Sequence, residues 1–447
     1  MEIHSLEQLQ SGKHTHVTRI TISNKLREFP PEIFQFTESL EVLDLSNNLL
    51  TEIPEAILSL KKLKILFLSN NRFTEFPLLL GQCQSLSMIG FKSNQIHVIP
   101  EHAFPETLQW LILTDNRIEQ LPSSIGKCLF LQKVALAGNQ LTQLPAEMAN
   151  CRTLGLLRIS ANQIKELPQW LLSMPKLAWL AYSGNPCTEQ LPTPRQLPLV
   201  NWEDLTIMEK LGEGASGVIS KAIAKPGIFG TENYEVAIKL FKGEVTSDGY
   251  PEDEMAVTTH IPKHRHLVPV LAKINGHPEK KEGLIFELIP TSYHNLGMPP
   301  SFSTCTRDTF KQGTKFTIPS ILKIVSAIAN AALLLHSNGI MHGDLYAHNT
   351  LINNEANTLF SDFGAATYYR KDSLQAPYLE RLEVRAFGYL LEDLLLNAET
   401  NQEDDVLNYS LVELKTHCLQ ENVLQRPDFS DISKQLSQLL KQYNLLS

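Results

Sequence analysis

The chain lacks an apolar stretch long enough to read as a membrane span. Its most apolar segment, Pro319 to Leu335, is interrupted by Lys323 and Asn330 and is shorter than the roughly 20 residues that a spanning helix needs. That segment predicts a buried core helix. The opening residues Met1-Glu2-Ile3-His4-Ser5-Leu6-Glu7 lack the basic region and apolar run of a secretory signal. Cysteine is scarce, with 6 in 447 residues, which without such a signal predicts reduced thiols rather than a disulfide framework. A cytoplasmic protein is expected. A basic excess is also missing. The net charge is -9, and residues 1–200 balance 17 Lys+Arg against 17 Asp+Glu, so residues 201–447 carry 22 against 31. An acidic second half argues against nucleic acid or an anionic membrane as a main partner.

The length allows two domains, and the first half is a repeat array. The frame L-x-x-L-x-L-x-x-N-x-L starts at Leu40, Leu63, Leu86, Leu108, Leu131, Leu154 and Leu177, in steps of 22 or 23 residues. It places Asn48, Asn71, Asn94, Asn116, Asn139, Asn162 and Asn185 where side-chain amides can satisfy the backbone of the turn leaving each strand. A degenerate first repeat runs through Val17, Ile20, Ile22 and Leu26, after a polar cap in residues 1–16. Pro30, Pro54, Pro77, Pro100, Pro122, Pro145 and Pro168 each follow an apolar residue. This pattern resembles the intracellular, Ras-group-like leucine-rich repeats. The resemblance implies a curved solenoid with a parallel sheet on its concave face.

Cys83, Cys128 and Cys151 occupy equivalent repeat positions, and a column of small apolar side chains is expected of them rather than a metal or redox cluster. The third frame position points out of the sheet, because strand side chains alternate. It holds Val42, Ile65, Met88, Trp110, Lys133, Leu156 and Trp179, joined two positions later by Phe67 and Ile112. Six of these seven third positions are apolar on a face that should be solvated, which predicts a docking surface. Its occupant is either a protein partner or the chain's own second domain. A connector rich in proline follows, with Pro192, Pro194 and Pro198, and is expected to be extended and stiff.

The second half carries four motifs in order: Gly212-x-Gly214-x-x-Gly217-Val218, then Val236-Ala237-Ile238-Lys239, then His342-Gly343-Asp344 with Asn349, then Asp362-Phe363-Gly364. Their order and spacing resemble the protein-kinase signature set, from Trp202 to about residue 440. The resemblance implies ATP and Mg2+ as cofactors. Leu211, Gly212, Gly214, Gly217 and Val218 would then form the turn over the phosphates, and Ala237 and Lys239 would lie on the next strand. Lys239 would pair with a helix carboxylate, for which Glu254 is chosen over Glu252 and Asp253. Phe286 matches the gatekeeper position, and the backbone of Glu287 and Ile289 would meet the adenine. Asp344 would take the acceptor proton, and Asn349 and Asp362 would hold the metal. His342 is read as structural.

Departures from the family pattern matter as much. Gly343 stands where an arginine usually pairs with a phosphorylated activation loop, so control is expected elsewhere. Tyr346 and His348 fit neither the serine/threonine nor the tyrosine acceptor loop. The segment after Asp362 is short: Ala376-Pro377 resembles its closing motif without the usual Glu, and Glu383 stands in the next helix where Asp is usual. Glu380 is a candidate partner for Arg426, and Thr367, Tyr368, Tyr369 and Ser373 are candidate phosphorylation sites.

The expected architecture is an α/β leucine-rich repeat solenoid followed by an α+β two-lobed protein kinase domain. Residues 1–190 would hold the cap and about eight repeats, residues 191–201 the linker, and residues 202–447 the kinase-like domain. The expected function is an ATP-dependent protein kinase acting on serine or threonine, whose solenoid binds proteins or recruits substrate. Two alternatives stay open: an ATP-binding scaffold, and a kinase acting on a small molecule.

Overall fold

A computed structural model describes residues 1–189, 196–214, 216–243, 245–399, 401 and 404–445. Pro192 and Pro194 of the proline-rich connector lie outside the described residues. The chain forms two compact units, one of Met1–Leu177 with Asn185–Cys187, the other of Ala178–Gly184 with Thr188–Ser447.

In the first unit short strands repeat at the period of the frame. They are β1 (Glu2–Ile3), β2 (Arg19–Thr21), β3 (Val42–Asp44), β4 (Ile65–Phe67), β5 (Met88–Gly90), β6 (Trp110–Ile112), β7 (Lys133–Ala135) and β8 (Leu156–Arg158). All pair in parallel with their sequence neighbours. The residues expected to be only a polar cap thus supply a strand, β1, and a helix, α1 (Leu6–Gln10), whose amide of Gln8 is capped by Ser5 Oγ. Register aligns Val42, Ile65, Met88, Trp110, Lys133 and Leu156 in one row. The frame leucines point the other way and are buried.

The prolines mark the return path. Pro30, Pro54, Pro77, Pro122 and Pro145 each immediately precede a single 3₁₀ turn, and Pro168 precedes α2 (Gln169–Leu172). A fixed φ near −65° and a missing N–H cost nothing at such a boundary. Pro100 precedes no such turn.

Each frame asparagine is a connector between repeats. Asn116 Nδ2 donates to the carbonyls of Phe91 at 2.9 Å and Leu113 at 3.1 Å, while its Oδ1 accepts the amide of Ile96 at 3.0 Å. The pattern recurs at Asn48, Asn71, Asn94, Asn139 and Asn162. Cys128 and Cys151 are buried and all six cysteines are free. Burial pushes the Cys128 thiol up to about 12 and the Cys151 thiol to about 11, which keeps both protonated.

The second unit begins with β9 (Trp179–Ala181) and a six-stranded sheet ordered β10-β14-β15-β13-β12-β11. These are β10 (Leu199–Asn201), β11 (Leu205–Glu213), β12 (Gly217–Ala224), β13 (Tyr234–Phe241), β14 (Val270–Asn275) and β15 (Gly283–Glu287), with α3 (Pro251–His260) between β13 and β14. Its inward side chains, among them Val236, Ile238, Ala272 and Ile285, form one apolar cluster. The remainder is helical around α4 (Ile318–Ser337), with α5 (Ala376–Leu396), α6 (Asp405–Cys418) and α7 (Phe429–Gln442). Small ladders complete it: β16 (His294–Asn295) with β19 (Thr350–Ile352) and β20 (Thr358–Phe360), β17 (Phe316–Thr317) with β22 (Ala398–Glu399), and β18 (Ile340–Met341) with β21 (Thr367–Tyr368).

Helix α4 is longer than the apolar run suggested, because Thr317 caps it by accepting the amide of Ser320. By length and composition it could cross a bilayer, but two thirds of its apolar window, 67%, is packed inside the protein. It stops at Asn338 and Gly339, the latter at φ +70°.

Replacing Asn116 by Ala leaves the amide of Ile96 and two carbonyls without their partner in a dry turn. We expect a loss of about 2–3 kcal/mol in the stability of the first unit. Hydrogen exchange should show the Ile96 amide losing protection while amides of the second unit keep theirs.

Candidate active site

Strand β13 carries Lys239 beneath the glycine turn between β11 and β12, and α3 brings up Glu254, so that Lys239 Nζ donates to Glu254 Oε1. Both are buried. Burial pushes the Glu254 carboxyl above its ordinary value, against the pull of the Lys239 ammonium. Of the three acidic candidates on α3, Glu254 is the one paired with Lys239.

The pair opens onto a cleft of about 430 Å³. Gly214, Gly217, Ala237, Phe286, Glu287, Ile289, Asn349 and Asp362 line it together with Lys239 and Glu254. Leu211, Gly212 and Val218 do not. The reason is strand alternation: Ile219 pairs with Lys239 across β12 and β13 and shares its face, whereas Val218 pairs with Leu240 on the other. Ile219 therefore takes the lining position that the sequence reading gave to Val218. The glycines also divide by role. A side chain at Gly212 or Gly214 would meet open space, but a Cβ at Gly217 would fall 2.6 Å from the carbonyl of Leu240, so Gly217 is dictated by strand packing.

Across the cleft, Asn349 Nδ2 donates to Asp344 Oδ2 at 2.7 Å and to the Asp344 carbonyl at 3.0 Å. Asp362 lies at φ +60°, and its Oδ1 accepts the Gly364 amide at 3.2 Å. His342 is buried, stacks on Phe360 at 4.1 Å and bonds the Ser361 carbonyl at 3.1 Å, which makes it a packing residue as expected. The amide oxygen of Asn349 and the carboxylate of Asp362 are the oxygen donors that a hard divalent cation takes, so the residues present fit Mg2+.

Comparison with known families decides the assignment. The family described as protein tyrosine and serine/threonine kinase matches residues 205–413. Residues 205–413 are a protein kinase domain. The leucine rich repeat family matches residues 16–73, so the chain carries leucine-rich repeats followed by that domain. Relatives include a Dictyostelium discoideum protein described as "Probable cyclin-dependent serine/threonine-protein kinase", 30% identical over 42% of this chain and 27% of its own length. Cysteine-rich receptor-like protein kinase 26 of Arabidopsis thaliana is 26% identical over 47% of this chain and 29% of its own. Fibroblast growth factor receptor 2 of Dugesia japonica is 28% identical over 47% and 24%. The chain thus spans about a quarter to a third of the length of these curated relatives.

The kinase domain holds the loop of residues 342–349 by a buried carboxylate. Glu383 on α5 accepts the amides of His342 at 3.1 Å and Gly343 at 2.7 Å, and a bond from His336 Nε2 at 2.7 Å. The opposite nitrogen of His336 bonds the Tyr369 hydroxyl at 2.8 Å. Gly343 is at φ +74°, and a Cβ there would stand 2.7 Å from the carbonyls of Ala365 and Leu180. No arginine can occupy this position without moving both backbones.

Several expectations around the loop are corrected. Ala376-Pro377 is the first turn of α5, in one helix with Glu383, and does not form a separate closing motif. Thr367 and Tyr369 are buried and hydrogen-bonded, which leaves them poor phosphorylation sites, while Tyr368 and Ser373 are partly exposed. Glu380 accepts the Phe429 amide at 2.9 Å, and Arg426 donates to the carbonyls of Gln420 and Arg381. Tyr346 is buried between residues of the same unit: Trp179 stacks on it at 4.5 Å and donates from Nε1 to the Leu345 carbonyl at 3.0 Å. Trp179 was expected on an open apolar stripe.

Sequence reasoning missed Asp308. Its Oδ2 accepts the amides of Ala347 and His348, and its Oδ1 bonds His348 Nδ1 at 2.7 Å. His348 lines the cleft. Burial opposes its charge, but the hydrogen bond and negative charge of Asp308 outweigh this and raise the imidazole above its ordinary 6.5. No local motif surrounds Asp308, so only the tertiary contact finds it.

Two predictions follow from this geometry. Ile219→Ala should weaken binding of a fluorescent ATP analogue about tenfold, through about 1–2 kcal/mol of lost apolar cover, and Val218→Ala should change it less than twofold. Asp308→Asn should lower the pH at which His348 titrates, followed by NMR. A raised folded value means that the pair stabilises the fold below the unfolded value and loses this as pH rises through the folded one, so Asp308→Asn should flatten that alkaline loss.

Proposed function

We propose that this chain is an ATP-dependent serine/threonine protein kinase whose repeats bind protein. The observation that carries this reading is the assembly, around one cleft, of the Lys239–Glu254 pair, Asp362, and Asn349 bonded to Asp344. ATP with Mg2+ would supply the transferable phosphoryl group. Lys239, held by Glu254, would bind its phosphates, and Asn349 and Asp362 would hold the metal. Asp344, fixed by Asn349, would orient the acceptor hydroxyl and take its proton. Transfer to serine or threonine draws support from the printed description of the Dictyostelium discoideum relative.

Phe67, Trp110 and Ile112 support protein binding by the repeats, whereas Ile65, Met88 and Leu156, expected on the same open face, are buried. Trp110 and Ile112 keep part of their surface exposed, and the Lys133 ammonium lies 4.2 Å from the Trp110 ring. Free thiols throughout support a reducing, cytoplasmic compartment. One observation favours a second reading. Residues 365–375 lead directly into α5, which leaves little platform for a peptide and suits a small-molecule acceptor.

Labelled phosphate transfer from ATP with magnesium tests the proposal, using mixed Ser/Thr and Tyr acceptors. Wild type should label Ser/Thr acceptors, and Asp344→Asn and Lys239→Met should each lower the rate at least a hundredfold. Transfer to small hydroxyl compounds alone would establish the second reading. ATP binding without any transfer would overturn both.

A further inference from the structure

Outside the cleft, the second unit has a hollow of about 300 Å³ between α4, the β19–β20 turn and the end of α7. Its chemistry comes from one face of α4. Lys323, Ser326, Ala327 and Asn330 recur at helical spacing and all line it. Lys323 and Asn330 are the two residues that interrupt the apolar run of this helix. Arg265 adds a second cation from the loop after α3. Among the described residues, neither Lys323 nor Arg265 has an ion-pair partner and no carboxylate lines the hollow. Ser326 is 4% exposed, and its hydroxyl has no hydrogen-bond partner. Asn330 uses its Oδ1 to accept from Ser433, so its amide nitrogen keeps its donors.

Two unpaired cations, an unsatisfied buried hydroxyl and a spare amide donor make a site for an anion with several acceptor oxygens. The floor is apolar at Ala327 and Leu440, which suits a group carried on a side chain. We propose that this hollow binds a phosphorylated serine or threonine on a peptide segment. Lys323 and Arg265 pair with the phosphate oxygens, and Ser326 and Asn330 donate to them. A phosphopeptide is favoured over an anionic membrane because the cations line a recessed hollow, which a protruding side chain can enter and a flat bilayer surface cannot.

The test uses the full chain with saturating ADP, so that the cleft is filled. The probe is a fluorescent Ala-Ala-pSer-Ala-Ala peptide, with its unphosphorylated twin and phosphatidylserine vesicles as the other arms. The phosphopeptide should bind at least tenfold tighter than its twin. Lys323→Gln with Arg265→Gln should lose at least tenfold in that affinity, while Lys323→Arg keeps it. The melting temperature and ATP-analogue binding of each variant should match wild type, which separates this site from the cleft. Equal affinity for the two peptides, undiminished binding in the double variant, or binding to vesicles alone would overturn the proposal.

Discussion

The loop of residues 342–349 depends on one buried carboxylate. Glu383 is nearly inaccessible, and each of its oxygens is spent on the loop or on His336. Burial alone would raise its pKa, but the hydrogen bonds and charge of His336, the charge of His342 and the Gly343 amide outweigh this and hold the group below its usual range. A charge kept in so dry a place is stable only while all its partners stay. The group therefore fixes the backbone of 342–343 relative to α5, and with it the positions of Asp344 and Asn349 farther along the loop.

Gly343 is a consequence of that arrangement. Its amide is pulled onto Glu383 while its backbone takes a positive φ, and carbonyls crowd the space where a side chain would begin. The arginine of the usual pattern is excluded sterically. Tyr369 ties the next segment to the same centre through His336, so the stretch after Asp362 is held by buried contacts rather than by a charge-reading cation.

The repeat period and the order of the four motifs were legible in the sequence because each arises from local chemistry: a strand that alternates, an asparagine that closes a turn, a glycine that makes room. The pairing Lys239–Glu254 could be named in advance because the kinase resemblance called for a helix carboxylate, whereas the bond from Asn349 to Asp344 appeared only in the structure. Val218 was mistaken for a lining residue because alternation around a glycine turn depends on cross-strand register, which brings Ile219 onto the face of Lys239. Glu380 was matched to Arg426 by charge, but helix packing gives it a backbone amide instead.

The sequence by itself determined that this protein is a parallel array of repeats followed by a kinase domain, because short-range periodicity and motif spacing are written into consecutive residues. Tertiary structure alone decided that Asp308 raises the proton affinity of His348 and that Tyr346 is buried under Trp179. It also decided that the polar residues of α4 face a hollow. These depend on contacts between residues far apart in the chain, where burial and the neighbouring charge, rather than residue type, set what a side chain can do.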